Sequence, residues 1–248
     1  MIRIGANHDL PVILLIDDDM ISREVIATLL TLHGYTVHSA DDGAAALAML
    51  DAGDLVPQVI LMDAQLPGIS GLELMHHLRK RCQASIFVIS ASEGAEPVVA
   101  AADGFLMKPF SSDVLARLIE GRVPLHASPI PETSEPVLSR DTLSQFRELM
   151  PESMVREVYA AVASDLKQRS EALREAIAAG NATVVRQIGH AIKGGCGMAG
   201  VKQAARLGAM LERESDQLDN SPAVLQDLYA ATRSLERMLE VEFPAQTI

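Results

Sequence analysis

Short apolar runs alternate with amphipathic stretches through the first half of the chain. Residues 12–16, 36–39, 59–62, 86–89 and 105–107 are apolar enough, and short enough, to read as strands. Between and after them, residues 22–32, 43–50, 71–79, 97–102 and 112–120 carry apolar positions at three- and four-residue spacing, the signature of helices. Strand and helix in strict alternation imply a doubly wound five-stranded parallel sheet covered on both faces. Such a sheet binds its ligand beyond the carboxyl ends of its strands.

The alternation stops at residue 123. Residues 123–137 hold Pro124, Pro129, Pro131 and Pro136 among Ser, Thr and Glu. Proline fixes φ and removes a donor, so this stretch reads as a semi-extended linker reaching at most about 45 Å, at about 3.1 Å per residue. Beyond it no strand pattern returns. Residues 141–149, 152–179, 182–199, 202–218 and 223–241 each show helical spacing, punctuated by Gly180-Asn181, Gly200 and Asn220-Ser221-Pro222. Connections this short set successive helices antiparallel, so an antiparallel four-helix bundle is expected. The expected organisation is an α/β domain over 1–122, a linker over 123–137 and an all-α domain over 138–248.

Composition narrows the function classes. The net charge is −12 with no run of Lys or Arg, a surface that a phosphate backbone would repel, so nucleic acid is not an expected partner. There is no Trp and only eight Phe and Tyr, which leaves the cores to aliphatic residues and Ala. Cys82 and Cys196 are too few and too distant to frame a disulfide fold. Neither a secretory leader pattern nor a run of about 20 apolar residues stands out, so the expectation is a cytoplasmic protein without membrane insertion.

The polar residues that end the strands are the first candidate chemistry. Asp17, Asp18 and Asp19 follow the first apolar run, Asp63 the third, Ser90 the fourth and Lys108 the fifth. In a parallel sheet these ends share one edge, which brings carboxylates, a hydroxyl and an ammonium together. Adjacent carboxylates repel unless a cation neutralises them, and hard oxygen ligands select Mg²⁺. The expected arrangement is Mg²⁺ among carboxylates, one carboxylate as nucleophile, and Lys108 with the Ser90 hydroxyl on phosphoryl oxygens. Each piece has a plainer reading: an acidic turn capping a helix, a turn residue before Pro67-Gly68, an incidental Lys-Pro. Turn chemistry does not account for a lysine and a hydroxyl ending the other strands.

Residues 13–19, Val59-Ile60-Leu61-Met62-Asp63 with Leu66-Pro67-Gly68 and Gly71, Ile89-Ser90-Ala91, and Phe105-Leu106-Met107-Lys108-Pro109-Phe110 resemble the receiver domain of two-component response regulators. The resemblance covers about residues 11–121. It implies phosphorylation at Asp63, direct Mg²⁺ binding by Asp18, and a role for Asp17 mainly through metal-bound water. It further implies a backbone carbonyl of Gln65 in the metal shell, and Ser90 and Phe105 as a switch pair. Residues 92–103 are a few short of the family's fourth helix with its loops, which sets the usual output face apart here. The haloacid-dehalogenase-like phosphatases also use a strand-end aspartate, but Ile21 stands where their Asp-x-Asp-x-Thr pattern needs threonine.

In the second half His190 stands out among seven histidines. At 100° per residue, Val185, Ile188 and Ile192 form the buried stripe of its helix, and His190 lies roughly 140–160° away, facing solvent. Arg186, Lys193, Gly194 and Gly197 fall on or beside the histidine's face. Glycine inside a helix costs about 1 kcal/mol against Ala, so the cluster Gly194, Gly195, Gly197 suggests a face cleared for close approach by a partner. A helix end with incidental glycines and a surface histidine is the plainer alternative. His190-Ala191-Ile192-Lys193-Gly194-Gly195, with Gly200 and Leu211-Glu212, resembles the histidine-containing phosphotransfer (HPt) domain. That resemblance covers about residues 138–241 and implies phosphorylation of His190.

No Gly-rich ATP lid or asparagine-bearing nucleotide box is present, so the expected partners are a sensor histidine kinase and one or more response-regulator receivers. The combined expectation is a phosphorelay intermediate using Mg²⁺. The alternative is a receiver-gated docking module that regulates a kinase or regulator without relaying phosphate. The four prolines between the halves point to His190 serving a receiver on another protein.

Overall fold

The computed structural model describes residues 10–91, 96–110, 112–119, 126–127, 137–215 and 221–243. Five strands form where the apolar runs lie: β1 (Val12–Ile16), β2 (Thr36–Ala40), β3 (Val59–Asp63), β4 (Ser85–Ser90) and β5 (Gly104–Met107). They pair in parallel in the order β2-β1-β3-β4-β5. A two-residue strand, β6 (His126–Ala127), adds to the edge beside Phe105 and Leu106. It lies inside the stretch read from sequence as linker, where composition gave no strand signal.

Alternate residues of β1 serve opposite faces, as the pleat requires. Ile13 and Leu15 belong to an apolar cluster with Val25, Leu29 and Leu115, from α1 (Met20–Leu32) and α5 (Ser112–Ile119). Leu14 and Ile16 join Ala46, Leu74 and Leu78 from α2 (Gly43–Asp51) and α3 (Gly71–Arg81). The short α4 (Glu96–Ala101) packs beside α3. The register aligns Ile16 with Met62, Met62 with Val88 and Ser90 with Met107, so the strands end together.

The second half is entirely helical among its described residues: α6 (Arg140–Leu149), α7 (Glu152–Ala178), α8 (Ala182–Met198), α9 (Lys202–Glu214) and α10 (Ser221–Glu242). The last four pack as the expected bundle around Tyr159, Leu166, Val185, Ile192, Leu207 and Leu228. Gly180 (φ 65°) and Gly200 (φ 73°) end α7 and α8 in the left-handed region that glycine enters without a Cβ penalty. Asn181 then caps α8 by accepting from the Val184 amide at 3.2 Å.

The two halves touch. Helix α1 packs against α8 and α7, and the apolar cluster under α1 and α5 runs on without a break into the bundle. Among the described residues no helix is long and apolar enough to cross a membrane.

Candidate functional site

Asp17, Asp63, Ser90 and Lys108 meet at the shared strand edge, and all four are buried. Lys108 Nζ donates to Asp17 Oδ2 at 2.7 Å and to Asp63 Oδ2 at 2.5 Å. The main chain fixes this geometry: the Lys108 amide donates to the Ser90 carbonyl at 2.7 Å, continuing the β4–β5 ladder to the strand ends. Asp63 Oδ1 accepts from the Gln65 amide at 2.8 Å, which holds the carboxylate against its own turn.

The charge balance at this edge is poor. Burial pushes the Asp17 carboxyl up to about 6; the Lys108 charge opposes that rise and the Asp63 charge adds to it. Asp18, exposed at the rim, is also raised, by partial loss of hydration and then by the charge of Asp63. Burial alone would lower Lys108, but Asp63 and Asp17 outweigh it and hold the ammonium above its usual range. One lysine thus serves two carboxylates, with a third beside them.

A divalent cation suits this donor set, because the oxygens are hard and carry surplus negative charge. They are not drawn together around an ion site: among the described residues no three carboxylate, His or Cys groups are placed to hold a metal. Lys108 Nζ is the cation between Asp17 and Asp63 in this arrangement. Phe105, expected as the partner of Ser90 in a switch, is half-buried and packs against the cluster of Leu14 and Met62.

Asp19 has a separate task. Its Oδ1 caps α1 by accepting from the Ser22 amide at 2.7 Å, while Oδ2 accepts from Arg169 Nη2 of α7 at 2.6 Å. Arg169 Nε also donates to Asp165 Oδ2 at 2.5 Å. Burial would lower the Arg169 guanidinium, but Asp19 and Asp165 together raise it. No sequence pattern singled out Arg169.

His190 departs from the expectation of a ring in solvent. Its side chain is only 15% exposed, and Nδ1 lies 2.8 Å from Glu212 Oε1 on α9. Lys193 Nζ donates to the other oxygen of the same carboxylate at 3.2 Å. The wheel count buries Val185, Ile188 and Ile192; the structure buries Val185 and Ile192 but leaves Ile188 half-buried, and the count carries no information about a neighbouring helix. Helix α9 comes this close because Gly189 and Gly208 face one another at the crossing. A methyl on Gly189 would stand 2.8 Å from the Gly208 carbonyl oxygen, and one on Gly208 2.6 Å from the Lys193 amide nitrogen. Arg186 turns to α9 as well, donating to Ser215 Oγ at 3.0 Å.

Gly194 and Gly197, expected to clear a face for a partner, lie against this chain's own strand edge. A methyl on Gly194 would lie 3.6 Å from Ala91 Cβ and 3.8 Å from Lys108 Cδ, and one on Gly197 3.7 Å from Pro109 Cδ. At Gly195 it would lie 2.6 Å from Asp19 Oδ1 and 3.2 Å from Ile21 Cβ. Cys196 is buried, and burial pushes its thiol up.

Comparison with known proteins agrees with both halves. Residues 13–120 match the response regulator receiver domain, and residues 157–241 match the Hpt domain. The chain therefore carries a receiver domain and an Hpt domain together, the components of a two-component phosphorelay. Response regulator MprA of Mycobacterium ulcerans is 38% identical over 112 residues, 43% of this chain and 47% of that protein. The transcriptional regulatory protein YrkP of Bacillus subtilis, of uncharacterised function, is 36% identical over 113 residues, again 43% of this chain and 47% of that one. The chain spans about half the length of these relatives. Among solved structures, the receiver domain of a Francisella response regulator shares 28% identity with a TM-score of 0.40, covering 45% of this chain and 95% of that one.

Proposed function

We propose that the chain is a phosphorelay intermediate in which Asp63 accepts a phosphoryl group and His190 carries one to or from a receiver. The observation that carries this reading is the bridge of Lys108 Nζ between Asp63 and Asp17, buried at the strand edge. A lysine fixed there holds an ammonium where phosphoryl oxygens arrive when Asp63 Oδ2 attacks phosphorus. The Ser90 hydroxyl, on the neighbouring strand end, serves a second oxygen. Asp17, Asp18 and Asp63, with the Gln65 carbonyl, would hold Mg²⁺, which supplies the charge that lets a dianionic donor approach three carboxylates.

At the other site Glu212 fixes the imidazole through Nδ1. Phosphorus–nitrogen chemistry then falls to Nε2, and Glu212 stabilises the positive ring that forms as Nε2 takes the phosphoryl group. Lys193 is placed to offset the added negative charge. The proposed partners are a sensor histidine kinase and one or more response-regulator receivers.

The test is phosphotransfer profiling of the full chain against purified kinases and receivers. Acid-labile label at His190, absent from His190→Gln, is expected. Label confined to serine, or persisting in His190→Gln, would sink the assignment. A second reading, a docking module that regulates without relaying, draws on the glycine face of α8 being covered by the chain's own receiver. An Asp63→Asn chain that still exchanges phosphoryl through His190 excludes it.

A further inference from the structure

The receiver residues beneath α8 are neighbours of Asp63. Lys108 is bonded to it, Ala91 follows Ser90, Pro109 follows Lys108, and Asp19 follows the two acidic residues at the end of β1. Helix α8 therefore lies across the edge that holds the acceptor carboxylate. His190 precedes Gly194, the residue covering Lys108, by four positions. Four residues of helix rise about 6 Å and turn about 40° beyond one revolution, so His190 shares the face that meets this edge.

The contact is fitted rather than incidental. Asp19 is held from both sides, by the Ser22 amide at 2.7 Å and by Arg169 at 2.6 Å, and cannot swing away from α8 without losing both. Gly195 is the residue that lets α8 settle on it, since any side chain would meet Asp19 Oδ1 at 2.6 Å. Nine residues lie between Ala127 of β6 and Val137, so ten Cα–Cα steps join them, a tether of at most about 35 Å at full extension. Short tethers hold two modules at an effective concentration on the order of millimolar. A second receiver of equal affinity, present at micromolar concentration, would lose by roughly a thousandfold.

Resting on the reading that both residues carry phosphoryl, we propose that His190 and Asp63 exchange it within one chain, and that the Arg169–Asp19 ion pair with Gly195 selects the chain's own receiver for that exchange. In the step, the bond from phosphorus to His190 Nε2 breaks and its electron pair returns to the nitrogen. The bond from phosphorus to an Asp63 oxygen forms, and Nδ1 keeps its proton against Glu212, so no proton enters or leaves. The reverse step converts the acyl phosphate back to phosphohistidine. Arg169 is a positioning residue: it touches Asp19, not the reacting atoms. The proline-rich stretch had suggested service to another protein's receiver. In this structure the face such a receiver would use is already occupied.

The experiment uses the full chain, Mg²⁺ and acetyl phosphate as the donor to Asp63. Phosphohistidine (acid-labile, base-stable) is followed against acyl phosphate (base-labile). In the wild-type chain, phosphohistidine should form with a first-order rate constant that is unchanged over a hundredfold dilution. A mixture of His190→Gln chains, labelled on Asp63, with Asp63→Asn chains should be at least tenfold slower at micromolar concentration, and its rate should rise with concentration. Arg169→Ala and Gly195→Ala, normalised to acyl phosphate formed, should slow the step at least tenfold and make it concentration-dependent; Arg169→Lys should recover part of it. Weakened folding alone would not change the kinetic order. A wild-type rate proportional to concentration, or a mixture as fast as wild type, overturns the inference and leaves the relay reading standing. Acyl phosphate without phosphohistidine in any arm overturns the inference and confines the relay to Asp63. Failure to label Asp63 overturns both.

Discussion

His190 Nδ1 lies 2.8 Å from Glu212 Oε1, a contact between α8 and α9 that holds the ring by one of its two nitrogens. A carboxylate on Nδ1 fixes the tautomer and the orientation of the ring. Glu212→Gln keeps the shape and removes the charge. The expected result is phosphorylation of His190 slowed about tenfold, the scale on which loss of a ring-orienting carboxylate acts at metal-bound histidines. Stability should fall by about 1 kcal/mol, the worth of one partly buried hydrogen bond. Kinetics of phosphohistidine formation and ¹⁵N shifts of the imidazole check this. An unchanged rate with an unchanged tautomer would remove Glu212 from the mechanism.

The strand-edge cluster gives a prediction about metal. Acetyl phosphate should label Asp63 only with Mg²⁺ or a similar hard divalent ion, and chelation should stop the reaction. Asp63→Asn should abolish the label, and Asp18→Ala should weaken metal binding, since one of the anionic oxygen donors is lost. Mass spectrometry of the intact chain reads the first effect and metal titration the second. Undiminished labelling after chelation would be the contrary result.

Gly189 sits where backbone meets backbone. A methyl there would stand 2.7 Å from the Glu212 amide nitrogen and 2.8 Å from the Gly208 carbonyl oxygen, and neither can turn aside as a side chain can. Helix propensity favours Ala by about 1 kcal/mol, but overpacking costs about 1–3 kcal/mol and should win. Gly189→Ala is expected to lower the melting temperature and to loosen the His190–Glu212 contact together. A variant more stable than the parent would show that the helices can separate without penalty.

The two thiols should differ sharply. Cys196 is buried and its ionisation is pushed up by burial and then by Asp19 and Asp165, whereas Cys82 is half-buried on α3's end. Thiolate, not thiol, attacks alkylating reagents. Native protein should therefore take up one equivalent of iodoacetamide readily, at Cys82, and the second only on unfolding. Peptide mapping that finds Cys196 modified first would contradict the packing described here.

The sheet was legible because β1, β3, β4 and β5 are apolar runs leading into a polar residue, and parallel pairing gathers those ends. The pattern alone thus brings Asp17, Asp63, Ser90 and Lys108 to one edge. His190 was legible as a residue opposite its helix's buried stripe. Glu212 stands in the motif that carries the resemblance, but its contact with His190 is not legible, because a glutamate 22 positions away on an amphipathic helix looks like any solvated charge; that contact comes from α9 crossing α8. Gly189 and Gly208 were overlooked for the same reason, since the pair acts only across that crossing. The glycines after His190 stand out in the sequence, but the surface they meet, this chain's own strand edge, does not. Linker composition gives reach, but where the tethered halves settle depends on complementary surfaces such as Asp19 and Arg169, which carry no periodic signature. The two-residue β6 is too short for any pattern.

One apolar cluster runs from the inner face of β1 and β3, beneath α1, into the centre of the bundle around Val162, Val185 and Leu207. Heat would then not find two independent bodies on a string. Calorimetry should record a single endotherm whose van't Hoff and calorimetric enthalpies agree, with strain introduced in the bundle felt in the sheet. Such mechanical kinship means that a variant chosen to alter signalling at one end will also retune the thermal tolerance of the other.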